Sequence, residues 1–399
     1  MGVLGNREFW RVWVSGGVSG VGSWLLVIAV PVYVFQLSGS AVLTGLALAL
    51  EAVPPLVLGP WAGAWLDRWD LRRAMWVADL VSAAAVALLL FADAERIWLI
   101  YVAILIESAA TTVFRPAVRA LMPAVVGTGD ELAAANAITA LTASTIRLTA
   151  PVLGALLLAG PGLIAVLWLD IASYLLSAAI ISTIRVRRQA GTLELPSSAR
   201  AGFAYTARHR ALRGLLFGQT LFLTANAGLT ALLVPLTVDR LGAPASALGY
   251  LVAGLGAGYL IGAGLSAKAQ TWLGIRGLLV TTQLATAGAF FALVNAPDLR
   301  TAIAAAVLIG LPGSILLITA ETAIQRTAPQ EMLGRIGALF FAADSLALLI
   351  GALVAPAITT AAGLPATLNG LAAFAVLAAL VTATVVPGHP AAFTRPARQ

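Results

Sequence analysis

Long apolar runs, separated by short charged or turn-forming segments, recur along the whole 399-residue chain. A run of about 20 apolar residues is long enough to cross the hydrocarbon core of a bilayer as one helix. Because 60% of the residues are hydrophobic and only 10% are charged, a water-soluble fold could not bury them all. The sequence therefore predicts an all-α membrane protein that crosses the bilayer many times.

Twelve membrane spans follow from the positions of these runs. Several spans are longer than the bilayer requires, so we expect tilted or kinked helices. We number them span 1 to span 12, with boundaries at 9–36, 41–66, 73–92, 97–121, 132–159, 162–184, 214–238, 245–267, 277–296, 300–323, 336–361 and 364–386.

The basic residues indicate on which side of the membrane each loop lies. With a cytoplasmic N-terminus, all but four of the 24 Lys and Arg residues fall on the cytoplasmic side. Arg96, Arg240 and Arg300 fall outside, and Arg147 lies within span 5. Because positive residues are enriched in cytoplasmic loops, this bias predicts that both termini are cytoplasmic and that the chain lies in the inner (cytoplasmic) membrane.

One long polar interval divides the chain into two groups of six spans. Two six-span halves are typical of proteins that rock about a site near the middle of the membrane. Within the interval, Phe203 and Ala207 share one face, as in a helix that lies in the membrane surface. We expect an N-terminal half at 1–186, a cytoplasmic linker at 187–213 with this amphipathic segment, a C-terminal half at 214–388 and a cytoplasmic tail at 389–399.

A weak internal repeat supports two related halves. Residues 264–268, followed by 274–276, occupy between spans 8 and 9 the place that residues 63–73 occupy between spans 2 and 3. The segment 63–73, which begins at Gly63, carries five charges within its last seven residues, so it must lie outside the bilayer. We interpret it as a gate element at a fixed turn and call it the gate segment.

The gate segment has two possible roles. Asp67, near the cytoplasmic end of span 2, can accept hydrogen bonds from the N-terminal amides of a neighbouring helix, where the helix dipole favours an anion. Arg68, Arg72 and Arg73 can pair with acidic residues or with anionic lipid headgroups. Alternatively, the arginines only anchor the topology, an explanation that suits Asp67 less well because acidic residues contribute little to topology.

Four charged residues lie deep within the spans: Glu51, Glu107, Arg147 and Asp344. Each costs at least ~2.5–3.5 kcal/mol at the centre of the bilayer unless it faces a cavity or a partner. Glu107 and Arg147 reach a similar depth, so we expect an ion pair between them. Such a pair is either functional or purely structural, because structural ion pairs also perturb buried carboxylates.

Three further acidic residues are weaker candidates for function. Asp170 lies near the end of span 6, where we expect a structural hydrogen bond. Asp79 and Glu321 lie close enough to the cytoplasmic surface to pair with nearby arginines. For these three residues we therefore favour structural roles over a role in proton transfer.

The chain has no cysteine, which excludes disulfides and thiolate chemistry. His209 and His389 lie in polar segments without a second ligand at metal-binding spacing. The sequence thus predicts neither a metal nor a cofactor. An enzyme is also disfavoured, because the sequence has no Ser/His pair, phosphate-binding loop or cluster of His and Glu.

Several motifs together resemble a known family. The gate segment is similar to the loop 2–3 signature of the major facilitator superfamily, although Leu71 replaces a residue that is commonly basic. The resemblance covers roughly residues 5–385. Further segments are similar to the enterobactin-exporter and macrolide-efflux branch: 114–117 with 121–123, 131–132 with 135–136, 170–173, and 325–326 with 329 and 334–335.

This resemblance implies a secondary active transporter with two pseudo-symmetric six-helix halves. It implies a proton-coupled exporter, or antiporter, of drug-like or siderophore-like small molecules that works by alternating access. The expected partners are a small-molecule substrate, protons and the lipid bilayer, without nucleic acid, and a monomer is expected. A lipid flippase or a nutrient importer of the same fold remains an alternative, as does a non-transporting membrane sensor or enzyme.

The resemblance also assigns roles to particular residues. It implies that Asp67 contacts the start of span 11 near Arg335 and so ties the two halves together. Many relatives carry an arginine in the fourth helix, whereas this chain has Glu107 there and Arg147 in span 5. We therefore expect Glu51 and Glu107 to carry protons, with Arg147 keeping Glu107 ionised until they separate.

Span 5 carries a second family marker. Residues 150–155 are similar to the Gly-Pro-x-x-Gly-Gly signature of exporters at Pro151 and Gly154, with Ala150 and Ala155 in place of two glycines. An ordinary face of small residues for helix packing is the alternative.

The substrate cavity should be apolar and aromatic with a few polar groups. A cavity with two glutamates suits a cationic or neutral amphiphile. The candidate cavity residues are Trp24, Gln36, Gln219, Asn226, Thr230 and Thr319.

Overall fold

The structure, a computed structural model, describes residues 3–66, 69–127, 130–186, 197–329, 332–389 and 393, with some side chains inside the helices left out. Every regular element within these ranges is helical, which confirms the all-α class. The elements are α1 (Arg7–Ser38), α2 (Ala41–Leu66), α3 (Leu71–Leu88), α4 (Trp98–Val126), α5 (Asp130–Ala159), α6 (Leu163–Ser182), α7 (Ser197–Arg208), α8 (Arg210–Pro235), α9 (Leu248–Val294), α10 (Leu299–Thr327), α11 (Leu333–Ala362) and α12 (Leu364–Val385).

The long element α9 contains two membrane segments. Gly274 has a φ of 63° inside it, a left-handed conformation that glycine adopts without a steric penalty. This break separates spans 8 and 9, whereas spans 7, 10, 11 and 12 correspond to α8, α10, α11 and α12. The described residues contain eleven helical segments long and apolar enough to cross a membrane, and α5 is a further helix of 30 residues. The observed helices are consistent with twelve spans.

The polar interval between the two groups of spans, predicted to be cytoplasmic, differs in detail from the expected surface segment. Helix α7 ends at Arg208, and His209 has an extended backbone (φ −91°, ψ 108°) that separates α7 from α8. As a result, α8 begins at Arg210, four residues before the predicted start of span 7. The exposed Phe203 lies on α7, in agreement with an amphipathic helix at a surface.

By packing, the chain forms two compact units. The first unit comprises residues 1–40 and 50–195, and the second comprises 41–49 and 196–399. The start of α2 belongs to the second unit because Leu48 and Ala49 are buried against Ala231 and Ala352. The predicted boundaries of the halves, linker and tail remain a prediction.

A hydrophobic cluster of the first unit lies where several helices begin or end. Phe9 of α1, Leu71 and Met75 of α3 and Leu121 of α4 are fully buried in one cluster, together with Ile184 just after α6. These residues come from the start of α1, the start of α3, the end of α4 and the end of α6. All of these ends are on the predicted cytoplasmic side, so the cluster fixes the positions from which the deeper residues project.

Side chains from neighbouring helices satisfy the free backbone groups at these ends. The Asn6 side-chain oxygen caps α1, and its Nδ2 donates to the Val125 carbonyl at the end of α4, at 2.8 Å. Arg11 donates to the Thr183 carbonyl after α6 at 3.0 Å. Because a helix leaves its last four carbonyls without internal partners, these bonds hold the helix ends together.

An equivalent arginine caps the C-terminal end of the last helix in each unit. Arg72, at the start of α3, donates to the Ser182 carbonyl at the end of α6. Arg276, at the start of the second segment of α9, donates to the Ala383 carbonyl near the end of α12. Positive groups are favourable at helix C-termini. The weak sequence repeat therefore has a structural counterpart in the third and sixth helices of each unit.

Small residues bring the first segment of α9 directly against α10. A Cβ atom added at Gly258 would lie 2.1 Å from the Val307 carbonyl oxygen, and one added at Gly262 would lie 2.0 Å from that of Leu311. Small residues at membrane helix interfaces let two backbones approach closely. This contact forms part of the packing of the second unit.

We predict that Gly258→Ala destabilises the second unit, because the new methyl group would overlap backbone atoms of α10. The expected loss in the free energy of unfolding is about 1–3 kcal/mol. Thermal unfolding of the purified protein in detergent measures it. Gly264→Ala is the matched control, since an added Cβ there meets nothing within 4 Å. Equal melting temperatures for the two variants would contradict the proposed packing.

We also predict that Arg72→Gln lowers the melting temperature, because it removes the bond to the end of α6. The expected loss is about 1 kcal/mol, as for a partly exposed charged hydrogen bond. Arg73→Gln serves as the control because the Arg73 side chain is exposed. Arg276→Gln should behave like Arg72→Gln, and no loss in either variant would refute the capping role.

Candidate functional site

Three acidic side chains lie inside the first unit. Glu107 projects from α4 and is half-buried, whereas Asp170 on α6 is 0% exposed and Asp79 on α3 is 2% exposed. Polar groups within a membrane protein are costly unless neighbouring groups provide hydrogen bonds or opposite charge. The partners of these three carboxyl groups therefore decide what the site can do.

Glu107 is the centre of a hydrogen-bond network that joins three helices. The Tyr174 hydroxyl of α6 donates to Glu107 Oε1 at 2.6 Å, and Thr111 Oγ1 donates to the same oxygen at 3.1 Å. The Tyr174 hydroxyl also lies 2.8 Å from Ser23 Oγ of α1. A change in the protonation of Glu107 would therefore alter the hydrogen bonds among α1, α4 and α6.

Asp170 lies one turn from Tyr174 on α6. Its Oδ1 accepts a hydrogen bond from Ser173 Oγ at 3.2 Å, while its buried Oδ2 has no partner in the described structure. The backbone of α1 presses on this carboxyl group, because a Cβ added at Gly22 would lie 2.0 Å from Oδ1. The expected structural hydrogen bond thus accounts for only one of the two oxygens.

Asp79 and Glu321 do not pair with arginines among the described residues, which corrects the sequence-based expectation. Asp79 lies beside Ser177 of α6, and neither Asp79 Oδ2 nor Ser177 Oγ has a hydrogen-bond partner there. The nearby Arg72 is engaged with the end of α6 instead. Glu321 is exposed and accepts a hydrogen bond from Gln325 Nε2 at 2.8 Å.

Glu51 lies on α2 at the level of Glu107. Its side chain is exposed, and its backbone carbonyl accepts a hydrogen bond from Ser108 Oγ of α4 at 2.7 Å. Glu107 and Arg115 are both within electrostatic range of Glu51. The Arg147 side chain lies outside the described residues, so the ion pair between Glu107 and Arg147 remains a prediction.

In the second unit, Asp344 has a defined partner. Gln219 Nε2 of α8 donates to the two Asp344 carboxylate oxygens at 3.0 and 3.3 Å. The Gln219 and Gln283 side-chain oxygens are buried without a partner, and both residues line a small apolar cavity between α8, α9, α10 and α12. Thr319 of α10 is fully buried, and its Oγ1 is also without a partner in the described structure.

The remaining cavity candidates are spread over two helices. Asn226 is half-buried on α8, and the exposed Thr230 donates from Oγ1 to the Asn226 carbonyl at 2.8 Å. Trp24 is half-buried in the middle of α1, whereas Gln36 is exposed two residues before the end of that helix. The structure thus brings Gln219 together with Asp344, and a substrate role for each candidate remains a prediction.

The gate segment is described in part. Asp67 and Arg68 lie outside the described residues. Gly63 belongs to α2, and its surroundings are not described. The neighbouring Asp70 caps α3, since its Oδ1 accepts hydrogen bonds from the backbone N–H groups of Arg72 at 3.0 Å and Arg73 at 3.3 Å. The predicted contact of Asp67 with the start of α11 stays a prediction.

The exporter-like motif of α5 is also described in part. Gly154 is buried against α1, where an added Cβ would lie 2.6 Å from the Leu25 carbonyl oxygen. The Pro151 side chain lies outside the described residues. Close packing between α1 and α5 fits both explanations of the motif, an exporter signature and an ordinary packing face.

Outside the membrane spans, His209 is a half-buried residue between α7 and α8. Its partial burial lowers the pKa of the imidazole, which keeps the side chain neutral at neutral pH. Within the described ranges, no group of three His, Asp or Glu side chains is placed to hold a metal ion.

Sequence reasoning missed Tyr174, Ser23 and Gln283. A signal for Tyr174 was present, because Asp170, Ser173, Tyr174 and Ser177 follow the i, i+3, i+4, i+7 spacing of one helix face. An otherwise apolar span with one polar face points that face at the protein interior. Ser23 follows Ser15 and Ser19 at four-residue spacing on one face of span 1, but this spacing does not show which helix that face meets.

Comparison with known proteins agrees with this architecture. A variant of the nucleoside transporter NupG has the same fold, with a TM-score of 0.78 at 12% identity, and the match covers 96% of this chain and 100% of that chain. The multidrug efflux pump Tap of Mycolicibacterium fortuitum is 24% identical over 370 residues, which cover 88% of this chain and 89% of that protein.

A macrolide efflux protein A of Streptococcus pyogenes is 25% identical over 240 residues, which cover 58% of this chain. The chain spans 59% of the length of that relative. The model of the family described as transmembrane secretion effector matches residues 2–392. The chain therefore belongs to this family of the major facilitator superfamily.

Proposed function

We propose that this transporter is a proton-coupled exporter of drug-like or siderophore-like small molecules that works by alternating access. The observation that carries the proposal is the position of Glu107 inside the first unit, with hydroxyl donors from Tyr174 and Thr111 on one carboxylate oxygen. The names of the relatives, a macrolide efflux protein and a multidrug efflux pump, support export of this substrate class.

Protonation of Glu107 would change the network in a defined way. An ionised carboxylate only accepts hydrogen bonds, whereas the protonated acid also donates one. Protonation would also remove a charge from the membrane interior, which lowers the cost of any conformation that buries the group more deeply. A proton can therefore bias one conformation over another by its different affinity for the two.

Glu51 is proposed as a second proton acceptor next to Glu107. The two carboxyl groups are within electrostatic range of each other, so ionisation of one disfavours ionisation of the other. Arg147 is proposed to keep Glu107 ionised until substrate or a conformational change separates them. Two acidic groups without an excess of cations would suit a cationic or neutral amphiphile as the substrate.

In the second unit, Gln219 and Asp344 are the proposed polar contacts for the substrate. They bond to each other, and the unsatisfied Gln219 oxygen is available for a donor on a ligand. Asn226, Trp24, Gln36, Thr230 and Thr319 are proposed as further lining residues. Such a mixture of apolar surface and a few polar groups is the usual composition of a small-molecule site.

We further propose that the chain is a monomer in the inner membrane with both termini in the cytoplasm. Asp67 would hold the two halves, 1–186 and 214–388, in the outward-open state through the N-terminal amides of α11. The helix dipole at such an N-terminus favours an anion. The motif at Pro151 and Gly154 would allow α5 to move against α1.

We predict that Glu107→Gln loses transport driven by a pH gradient, because a glutamine cannot bind and release a proton at this position. The expected decrease is roughly 5–150-fold, the range of coupling free energies between linked sites. Uptake of a labelled macrolide into proteoliposomes, with and without an imposed pH gradient, measures it. Downhill exchange of the drug should persist.

Glu95→Gln is the matched control, because Glu95 is exposed in the connection between α3 and α4. Full gradient-driven transport by Glu107→Gln would exclude Glu107 as the coupling group. Intracellular drug levels in cells with and without the protein test the direction: higher drug levels in the expressing cells would favour an importer, and lipid transfer without drug transport would favour a flippase.

We predict that Asp67→Asn slows transport while the protein remains inserted and folded, because the neutral amide binds helix-terminal N–H groups less strongly than the carboxylate. Turnover in the same proteoliposomes measures the effect, and Asp93→Asn, at an exposed loop position, is the control. Unchanged turnover would reduce the gate segment to a topology anchor.

A further inference from the structure

We propose that Asp170 of α6 is a further proton-binding carboxyl group of the first unit, in addition to Glu107 and Glu51, and forms a coupled pair with Glu107. This inference rests on the proposed proton coupling at Glu107. It concerns a residue for which the sequence suggests only a structural role. Four observations support it: complete burial, an unsatisfied oxygen, close packing by a neighbouring backbone, and the absence of a facing cation in the described structure.

The packing around Asp170 selects the ligand. The residue is 0% exposed, and a Cβ atom added at Gly22 would lie 2.0 Å from Asp170 Oδ1 and 2.1 Å from Ser173 Oγ. The backbone of α1 therefore occupies the space in which a metal ion with its ligands, or a substrate, would have to sit. A proton needs no such space, so it is the ligand that this site can accept.

The hydrogen bonds of Asp170 are too few for an ionised carboxylate. Oδ1 accepts one bond from Ser173 Oγ at 3.2 Å, and Oδ2 is buried without a partner in the described residues. An ionised carboxylate offers about four acceptor sites, and all of them lose water on burial. A neutral acid leaves fewer acceptor sites unsatisfied, so the geometry favours a bound proton.

The charged and titratable groups around Asp170 also favour a bound proton. Helix α4 contributes Glu107, and α6 itself contributes Tyr174, four residues after Asp170. Helix α3 contributes Asp79, which lies beside Ser177 two turns further along α6. Helix α1 contributes the uncharged Gly22 and Ser23, and the Arg147 side chain of α5 lies outside the described residues. No cation faces Asp170 within the described part of the chain.

Tyr174 connects the two acids. Its hydroxyl donates to Glu107, and its backbone lies one turn from Asp170 on the same helix. Two carboxyl groups within electrostatic range do not ionise independently, and their protons leave in two steps that belong to the pair. The proton on Asp170 and the charge on Glu107 are therefore linked.

Infrared spectroscopy of the purified full-length protein in lipid nanodiscs tests this directly, since a protonated carboxyl group has its own C=O stretching band. We expect Asp170→Asn to remove part of the buried carboxyl band near neutral pH, and Asp93→Asn, at an exposed position, to leave it unchanged. Ser173→Ala keeps Asp170 but removes its hydrogen-bond donor, so the band should move to higher frequency. This milder variant provides the test if Asp170→Asn does not fold.

Transport supplies a second readout. The pH profile of gradient-driven macrolide transport should be less steep in Asp170→Asn than in the wild type, because one proton-binding group is lost. The proposal is overturned if the carboxyl band is the same in wild type, Asp170→Asn and Ser173→Ala. That outcome differs from failure of the proposed function, in which Glu107→Gln retains full gradient-driven transport whatever the infrared spectra show.

Discussion

The cost of leaving a polar group without a partner inside a membrane determines most of this structure. Within each helix the backbone satisfies itself, but the helix ends and the few charged side chains do not. Asn6, Arg11 and Arg72 bind the free carbonyls at the ends of α4 and α6, and Arg276 does the same for α12. These helix ends, on the predicted cytoplasmic side, are therefore held by hydrogen bonds between helices, in addition to the apolar packing around Phe9 and Leu71. The arginines that indicate topology in the sequence also serve as helix caps.

The same constraint gives α6 its two faces. Trp168, Leu169, Leu175 and Leu176 are exposed on the outside of the unit, whereas Asp170, Tyr174 and Ser177 are buried. In water the polar face of a helix would point outwards, but lipid accepts apolar side chains and the protein interior can provide hydrogen bonds. A short row of polar residues in an apolar span is therefore more informative than any single charge. In this chain that row brings Tyr174 to Glu107.

The sequence predicted the fold class and the order of the spans because the length of an apolar run is a direct consequence of bilayer thickness. It was less accurate at the junction between α7 and α8, because the break at His209 depends on backbone conformation, which the pattern of apolar residues does not report. For the site, residue type was enough to select Glu107 and Asp344. Their partners depend on which faces of two helices meet, and a single sequence contains no such information. Asp79 illustrates this, since α3 places that residue beside Ser177 of α6, and within the described residues it forms no ion pair with an arginine.

In the proposed roles, proton binding and substrate recognition use different side chains, although the lining residues Trp24 and Gln36 lie in the same unit as the proton-binding groups. The proposed proton-binding groups Glu107, Glu51 and Asp170 belong to the first unit, whereas the proposed polar contacts for the substrate, Gln219 and Asp344, belong to the second. Direct competition between substrate and proton for one carboxylate is then unnecessary. Coupling requires only that each ligand binds one conformation more tightly than the other, and the effect of each on the other is then equal by thermodynamic reciprocity. A network that joins α1, α4 and α6 suits this arrangement, because a proton at its centre changes the contacts among three helices at once. Substrates of different shape could then share one coupling mechanism, since the groups that bind the proton need not touch the substrate.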